Sequence, residues 1–198
     1  TFDRNLGYSS SDWGYQRSDT ASGFKSWNVS NNTITVNTNG QGGWEGRYQS
    51  FSVTSGTTYT ISFDYKMPTL TKQYDSSVAA GRMRAQILSR IPTSTDENCR
   101  AIQINTTAGS GYYEMLSGAS GTATMTFTAT ATTQYYLNLQ FGYADDSTDL
   151  SFTFSNFKFV GEKITVTYNS TYGTLPTPTK TGYTFNYWSL LPNGYTEY

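Results

Sequence analysis

The residues best suited to chemistry in this chain are aromatic rings and polar side chains in alternating runs. Trp13, Tyr15, Trp27 and Trp44 stand in or beside stretches dense in Gly, Ser and Asn, where a large ring is more readily exposed. Such rings stack on sugar faces, while amides, carboxylates and guanidinium groups reach the hydroxyls. The pattern leaves Trp27 open between core plug and ligand platform; Trp44, preceded by two glycines, leans to the ligand side. A second set lies on the polar face of alternating runs: Asp64, Lys66, Arg84, Gln86, Tyr136, Asn138 and Gln140. These would line one concave sheet if their strands are neighbours, although a polar outward face needs no function at all.

Catalysis has thinner support. A glycosidase needs two carboxylates across a sugar bond, and Asp145, Asp146 and Asp149 cluster, as do Asp96 and Glu97. Acidic loop residues on a β-protein are ordinarily just solvated. The chain has no histidine and one cysteine, which removes His-dependent triads and His-containing zinc sites, and no GxSxG or phosphate loop replaces them. The sequence therefore reads as non-enzymatic. Cys99 can form no disulfide within the chain, and its neighbours Asn98 and Arg100 do not favour deep burial.

The 13 basic and 14 acidic residues balance to a formal charge of −1, which argues against capture of nucleic acid or an anionic membrane surface. No run approaches the roughly 20 apolar residues needed to cross a bilayer. The chain opens at Thr1 and stops at Tyr198 as an excised segment would, so the lack of a signal peptide says little about the parent protein.

The elements that must position these residues read as strands. Between Gly46 and Met67 two alternating runs flank Ser55-Gly56 as a hairpin-like pair. In the second, Tyr59, Ile61, Phe63 and Tyr65 share a face opposite Thr60, Ser62, Asp64 and Lys66. Met83, Ala85 and Ile87 alternate with Arg84, Gln86 and Leu88, and Tyr135, Leu137, Leu139 and Phe141 with Tyr136, Asn138 and Gln140. Arg100 to Asn105 reads as a further strand with Ile102 and Ile104 inward. Leu150, Phe152 and Phe154 are out of phase with Phe157 and Phe159; a bulge near Ser155-Asn156 restores the pleat. Nine or ten strands by Val160 predict an all-β jelly-roll sandwich over residues 1–162. Residues 163–198 hold two more strands, too short a piece to bury a core alone.

The run with Phe51, Val53, Gly56, Tyr59, Ser62 and Phe63, with the closing Phe152, Phe154, Asn156 and Phe159, resembles the β-sandwich carbohydrate-binding modules of the family four and nine type. Phage tail and bacterial surface proteins carry the same pattern. Residues 163–194, through Val166, Thr167, Tyr168, Gly173, Leu175, Pro176, Pro178, Thr179, Lys180, Gly182, Tyr183, Thr184, Phe185 and Trp188, resemble the Listeria–Bacteroides (internalin-type B) repeat, with Tyr187 where glycine is usual. The resemblance implies an incomplete, small beta-grasp-like repeat at residues 163–198 and an extracellular parent, secreted or attached to the cell wall. The resemblance to the carbohydrate-binding modules implies a structural calcium with Asp3 and Asp149 as candidate ligands, although that family's acidic position in the last strand is here Asn156 and its usual N-terminal Gly-Asp-Phe-Glu is missing. The reading is a non-catalytic carbohydrate-binding module whose partner is a polysaccharide or glycan. The alternatives are a structural or adhesive module that binds a host or cell-wall protein or spaces other domains, and an accessory domain of a larger glycoside hydrolase.

Overall fold

The computed structural model describes residues 3–4, 6–16, 24–38, 45–69, 82–93, 96, 99–107, 111–142 and 150–161. The chain divides into two units, Thr1–Lys163 and Ile164–Tyr198; every described residue lies in the first. Residues 163–198, and with them the repeat expectation, lie outside the described residues.

Eleven strands are described: β1 Asp3–Arg4, β2 Gly14–Tyr15, β3 Phe24–Ser30, β4 Thr33–Thr38, β5 Glu45–Val53, β6 Thr58–Lys66, β7 Arg82–Leu88, β8 Tyr112–Leu116, β9 Ser120–Thr128, β10 Thr133–Gly142 and β11 Leu150–Gly161. Helix is confined, among the described residues, to 3-10 turns at Ser10–Asp12 and Arg100–Ile102, and none is long and apolar enough to cross a membrane. The strands form two antiparallel sheets. One has the order β3-β4-β11-β6-β9 with β1 also on β11; the other runs β2-β5-β10-β7-β8. The first unit is an all-β two-sheet sandwich of jelly-roll type.

Period-two alternation builds the core, because residues directly opposite in an antiparallel pair share a face. Ile34, Val36, Ile61, Phe63, Met125, Phe127, Phe152, Phe154, Phe157 and Phe159 come from the first sheet and are buried. Phe51, Val53, Met83, Ile87, Met115, Tyr135, Leu137, Leu139 and Phe141 answer from the second. Rings meet across the layers: Phe51 with Phe159 at 4.8 Å and Phe141 with Phe152 edge-on at 4.9 Å. The expected bulge is present, since pairing of β11 with β6 shifts between Ser155 and Lys158. Asn156 takes φ 53° there, a left-handed conformation that asparagine tolerates better than most residues, and both Phe154 and Phe157 stay inward.

The hairpin expected around Ser55-Gly56 is not formed. β5 pairs with β10 and β2 while β6 pairs with β11 and β9, so the turn carries the chain from one sheet to the other. It crosses beside the β9–β10 connection, which does the same. Gly56 N donates to Ala129 O and Ala129 N to Thr57 O at 2.8 and 3.0 Å, and Ser55 N donates to Thr132 Oγ1 at 3.0 Å. Arg100 to Asn105 also departs from expectation. It begins as a 3-10 turn and meets the end of β7 through a single bridge from Gln103 to Leu88 and a bond from Ile104 N to Ile87 O at 2.7 Å, without forming a strand.

Candidate functional site

The outer face of the five-stranded sheet gathers polar and tyrosine side chains by register. Asn138 lies opposite Tyr48 on one side and Gln86 on the other, and Gln86 lies opposite Tyr112. One row therefore crosses β5, β10, β7 and β8 as Tyr48–Asn138–Gln86–Tyr112. Three interstrand steps separate its two tyrosines, about 14 Å. The next row reads Gly46–Gln140–Arg84–Glu114 by the same pairings.

Both tyrosines are half-buried, while Gln86 and Asn138 are fully buried. Tyr48 meets the half-buried Tyr136 edge-on at 5.8 Å, and burial followed by Tyr136 pushes its phenol above the usual range, so it stays a neutral hydroxyl. Gly14 makes room for this ring, because a Cβ there would fall 2.5 Å from Tyr48 Cζ. At the far end the Arg84 guanidinium rests 4.2 Å from the centre of the Tyr112 ring.

The amides are bonded to one another and to what lies over them. Asn138 Nδ2 donates to Gln16 Oε1 at 2.9 Å and Gln86 Oε1 at 3.2 Å. Gln140 Nε2 donates to Gln16 Oε1, and Gln86 Nε2 to Gln103 Oε1, each at 3.2 Å. Asn138 Oδ1 is buried and accepts no hydrogen bond among the described residues. Cys99 Sγ lies 3.7 Å from Asn138 Nδ2 and 3.9 Å from Gln140 Nε2. Contrary to the sequence reading, Cys99 is 1% exposed, packed with Leu88, Ile102 and Tyr136 in a small cluster of its own. Burial first, and Asp96 second, push its thiol up to about 12, so it remains protonated and donates to Asp96 O at 3.3 Å.

A turn on the exterior holds this cover. Arg90 grips the Asp96 carboxylate at 2.8 and 3.0 Å, and Thr93 donates to it from its N–H and hydroxyl at 2.9 Å each. These bonds, Arg90's first, hold the Asp96 carboxyl down at about 2, so it is ionised at neutral pH.

Of the residues singled out in the sequence, Arg84, Gln86, Tyr136, Asn138 and Gln140 come together on this face. Asp64 and Lys66 do not. They sit on β6 in the other sheet, where Asp64 accepts from Asn156 Nδ2 at 2.6 Å and Thr122 Oγ1 at 2.5 Å. Those two bonds hold its carboxyl below the ordinary value. Alternation alone assigns a face to each strand but not a sheet. Trp13 is a core residue, 3% exposed: its ring lies 5.5 Å from Trp27 and 5.6 Å from Phe157, and its Nε1–H donates to Gly7 O. Trp27 is half-buried against the core and donates to Tyr8 O at 2.8 Å. Tyr15 is 38% exposed, with the Arg47 guanidinium 4.2 Å from its ring centre. Trp44, Asp145, Asp146, Asp149 and Glu97 lie outside the described residues, as does the side chain of Asp3, whose backbone pairs with Val160. The sequence did not point to Gln16, Tyr48 or Tyr112 as site residues, and it placed Cys99 away from any buried site. The alternation of Gly46, Tyr48 and Ser50 against Arg47, Gln49 and Phe51 was the signal for Tyr48.

No protein-family model matches the chain, and no curated protein matches it. Solved structures do. A CBM4 structure superposes with a TM-score of 0.51 at 17% identity, covering 82% of this chain and 97% of that one. This likeness is one of fold. The N-terminal cellulose-binding domain of Cellulomonas fimi β-1,4-glucanase C follows at TM-score 0.47 and 15% identity, covering 81% and 98%. The K3 cleaved adhesin domain of Lys-gingipain from Porphyromonas gingivalis gives 0.49 and 11%, covering 81% and 98%.

The described residues do not bear on the expected calcium, because Asp149 and the side chain of Asp3 lie outside them. They contain no group of three or more His, Cys, Asp or Glu able to hold a metal, and Asp64, the carboxylate bonded to Asn156, has both oxygens engaged.

Proposed function

We propose that residues 1–162 are a non-catalytic glycan-binding module of a bacterial secreted or cell-surface protein, taking its ligand along the outer face of the five-stranded sheet. The observation that carries this reading is the Tyr48–Asn138–Gln86–Tyr112 row: two aromatic rings at the ends, amide donors and acceptors between them. Rings stack on sugar faces and amides match hydroxyls, and a row dominated by amides suits a neutral glycan. The test is affinity electrophoresis of the full chain through soluble neutral polysaccharides: hydroxyethylcellulose, xylan, mixed-linkage β-glucan and mannan. Tyr48→Ala and Tyr112→Ala are each expected to weaken binding by about 1–2 kcal/mol, roughly 5- to 30-fold in Kd, with the melting temperature held. Wild-type binding unaffected by both substitutions would move the site elsewhere.

One observation favours a second reading, a structural or adhesive module that binds protein. Gln86, Asn138 and Gln140 are fully buried, so the face is not open as it stands. Silence across all four polysaccharides selects that reading. A structural calcium on Asp3 and Asp149 belongs to the proposal as well. Chelation is then expected to lower Tm, by roughly 2–4 °C for each kcal/mol of ion binding lost, and an unchanged melt removes the ion.

A further inference from the structure

The amide row is occupied by the chain itself, and we infer that Gln16, Cys99 and Gln103 stand where ligand hydroxyls bind and are displaced when a glycan enters. This rests on the glycan-binding reading and adds how that site is regulated. The row is a buried polar network in which the cover supplies oxygen acceptors to the amide donors but leaves the Asn138 acceptor unmet. A thiol is a weak acceptor, yet it is the group placed 3.7 and 3.9 Å from Asn138 Nδ2 and Gln140 Nε2. Asn138 Oδ1, in a residue 0% exposed, receives no donor among the described residues. Buried side-chain acceptors are ordinarily satisfied, and an exception asks for a missing partner. A sugar hydroxyl both donates and accepts, so one hydroxyl in place of Gln16 Oε1 would serve Asn138 Nδ2 as acceptor and another would serve Oδ1 as donor.

The cover is also lightly fastened. Among the described residues, Cys99 and Ile102 pack on Leu88 and Tyr136 in a small cluster separate from the main core, and Ile104 packs on that core. Cys99 is held at φ 56°, a left-handed conformation unfavourable for a residue other than glycine. Backbone bonds add to the fastening, from Ile104 N to Ile87 O at 2.7 Å and from Ser89 N to Ile102 O at 2.8 Å, as does the exterior turn in which Asp96 gathers Arg90 and Thr93. A small apolar cluster, backbone strain at Cys99 and an exterior clasp describe a piece that opens before the sandwich does.

Cys99, the chain's one cysteine, reports the opening. Its alkylation by iodoacetamide is followed on the full chain, alone and with saturating hydroxyethylcellulose, xylan, mixed-linkage β-glucan or mannan, for wild type and Asp96→Ala. The polysaccharide that binds is expected to raise the wild-type rate about tenfold or more. Asp96→Ala is expected to raise it by roughly five- to tenfold without glycan and to tighten binding in proportion, because a larger fraction of molecules is open beforehand. If a polysaccharide binds, Tyr48→Ala weakens it, and Cys99 stays protected throughout, self-occupation is wrong and the glycan-binding reading stands. If neither protein binds any of the four, both fall, whatever Cys99 does. Should Asp96→Ala fail to fold, the wild-type rates with and without polysaccharide decide alone.

Discussion

Replacing Trp13 with alanine is expected to cost the sandwich about 3–5 kcal/mol in urea unfolding, a large share of the roughly 5–15 kcal/mol that separates a folded domain from its unfolded chain. The indole fills a junction rather than a surface. It touches Trp27 at 5.5 Å and Phe157 at 5.6 Å, and Phe157 in turn stacks on Phe63 at 5.1 Å and meets Tyr8 edge-on at 5.7 Å. The 2.9 Å bond from its Nε1–H to Gly7 O ties the N-terminal loop to the same cluster. Alanine removes the ring contacts and the donor together, and Phe157, fixed by the bulge at Asn156, is poorly placed to collapse into the space. Trp13→Phe keeps most of the volume and is expected to lose about 1–2 kcal/mol, chiefly the hydrogen bond and a poorer fit. A loss below 1 kcal/mol for Trp13→Ala would sink this account and return Trp13 to the candidate ligand platform.

That junction shows what the sequence could and could not disclose. Alternation told which side of each strand faces inward, because a one-residue slip would put Phe63 or Leu137 in water. It also located the bulge, since Phe154 and Phe157 cannot both be inward on an unbroken pleat. It did not tell which strands are neighbours. Ser55-Gly56 has the composition of a tight turn, and sequential strands usually pair, yet the turn spans two sheets because Ala129 and Thr132, more than 70 residues on, complete its hydrogen bonds. Asp64 was misplaced for the same reason. The candidate row was legible as a face from Arg84, Gln86, Asn138 and Gln140, whereas its burial was not: what covers Asn138 is Gln16 and Cys99, and no local pattern announces a contact that distant. Trp13 misled because a loop's composition records its backbone freedom and not the partners of one large ring.

Arg47→Ala is expected to cost about 3–5 kcal/mol and to leave glycan affinity of the folded protein within twofold of wild type. Arg47 lies opposite Leu139 across β5 and β10, so it shares the inward face while its neighbour Tyr48 points out. Its guanidinium is held between two rings, 4.2 Å from the centre of Tyr15 and 4.5 Å from that of Trp27, and Nη2 donates to Ser10 O and Trp13 O at 2.9 Å each. Burial pulls its pKa below the ordinary value, with Tyr15 acting in the opposite direction; a guanidinium keeps its proton even so. Truncation leaves two carbonyls without this donor, about 1–3 kcal/mol for each that stays dry, and removes cation–ring attraction of about 0.5–2 kcal/mol. Lysine is expected to recover little of this, since a point ammonium cannot lie flat between two rings and serve both carbonyls. Urea midpoints give the order wild type, then Arg47→Lys, then Arg47→Ala, with Trp emission shifting red in the variants as Trp13 and Trp27 loosen. The decisive comparison is with Tyr48→Ala, one residue along the same strand, which is expected to lose affinity and keep stability. If Arg47→Ala instead loses affinity while its unfolding midpoint holds, the inward and outward faces of β5 have been assigned the wrong way round, and the binding site moves to the Trp27 and Tyr15 edge of the sandwich.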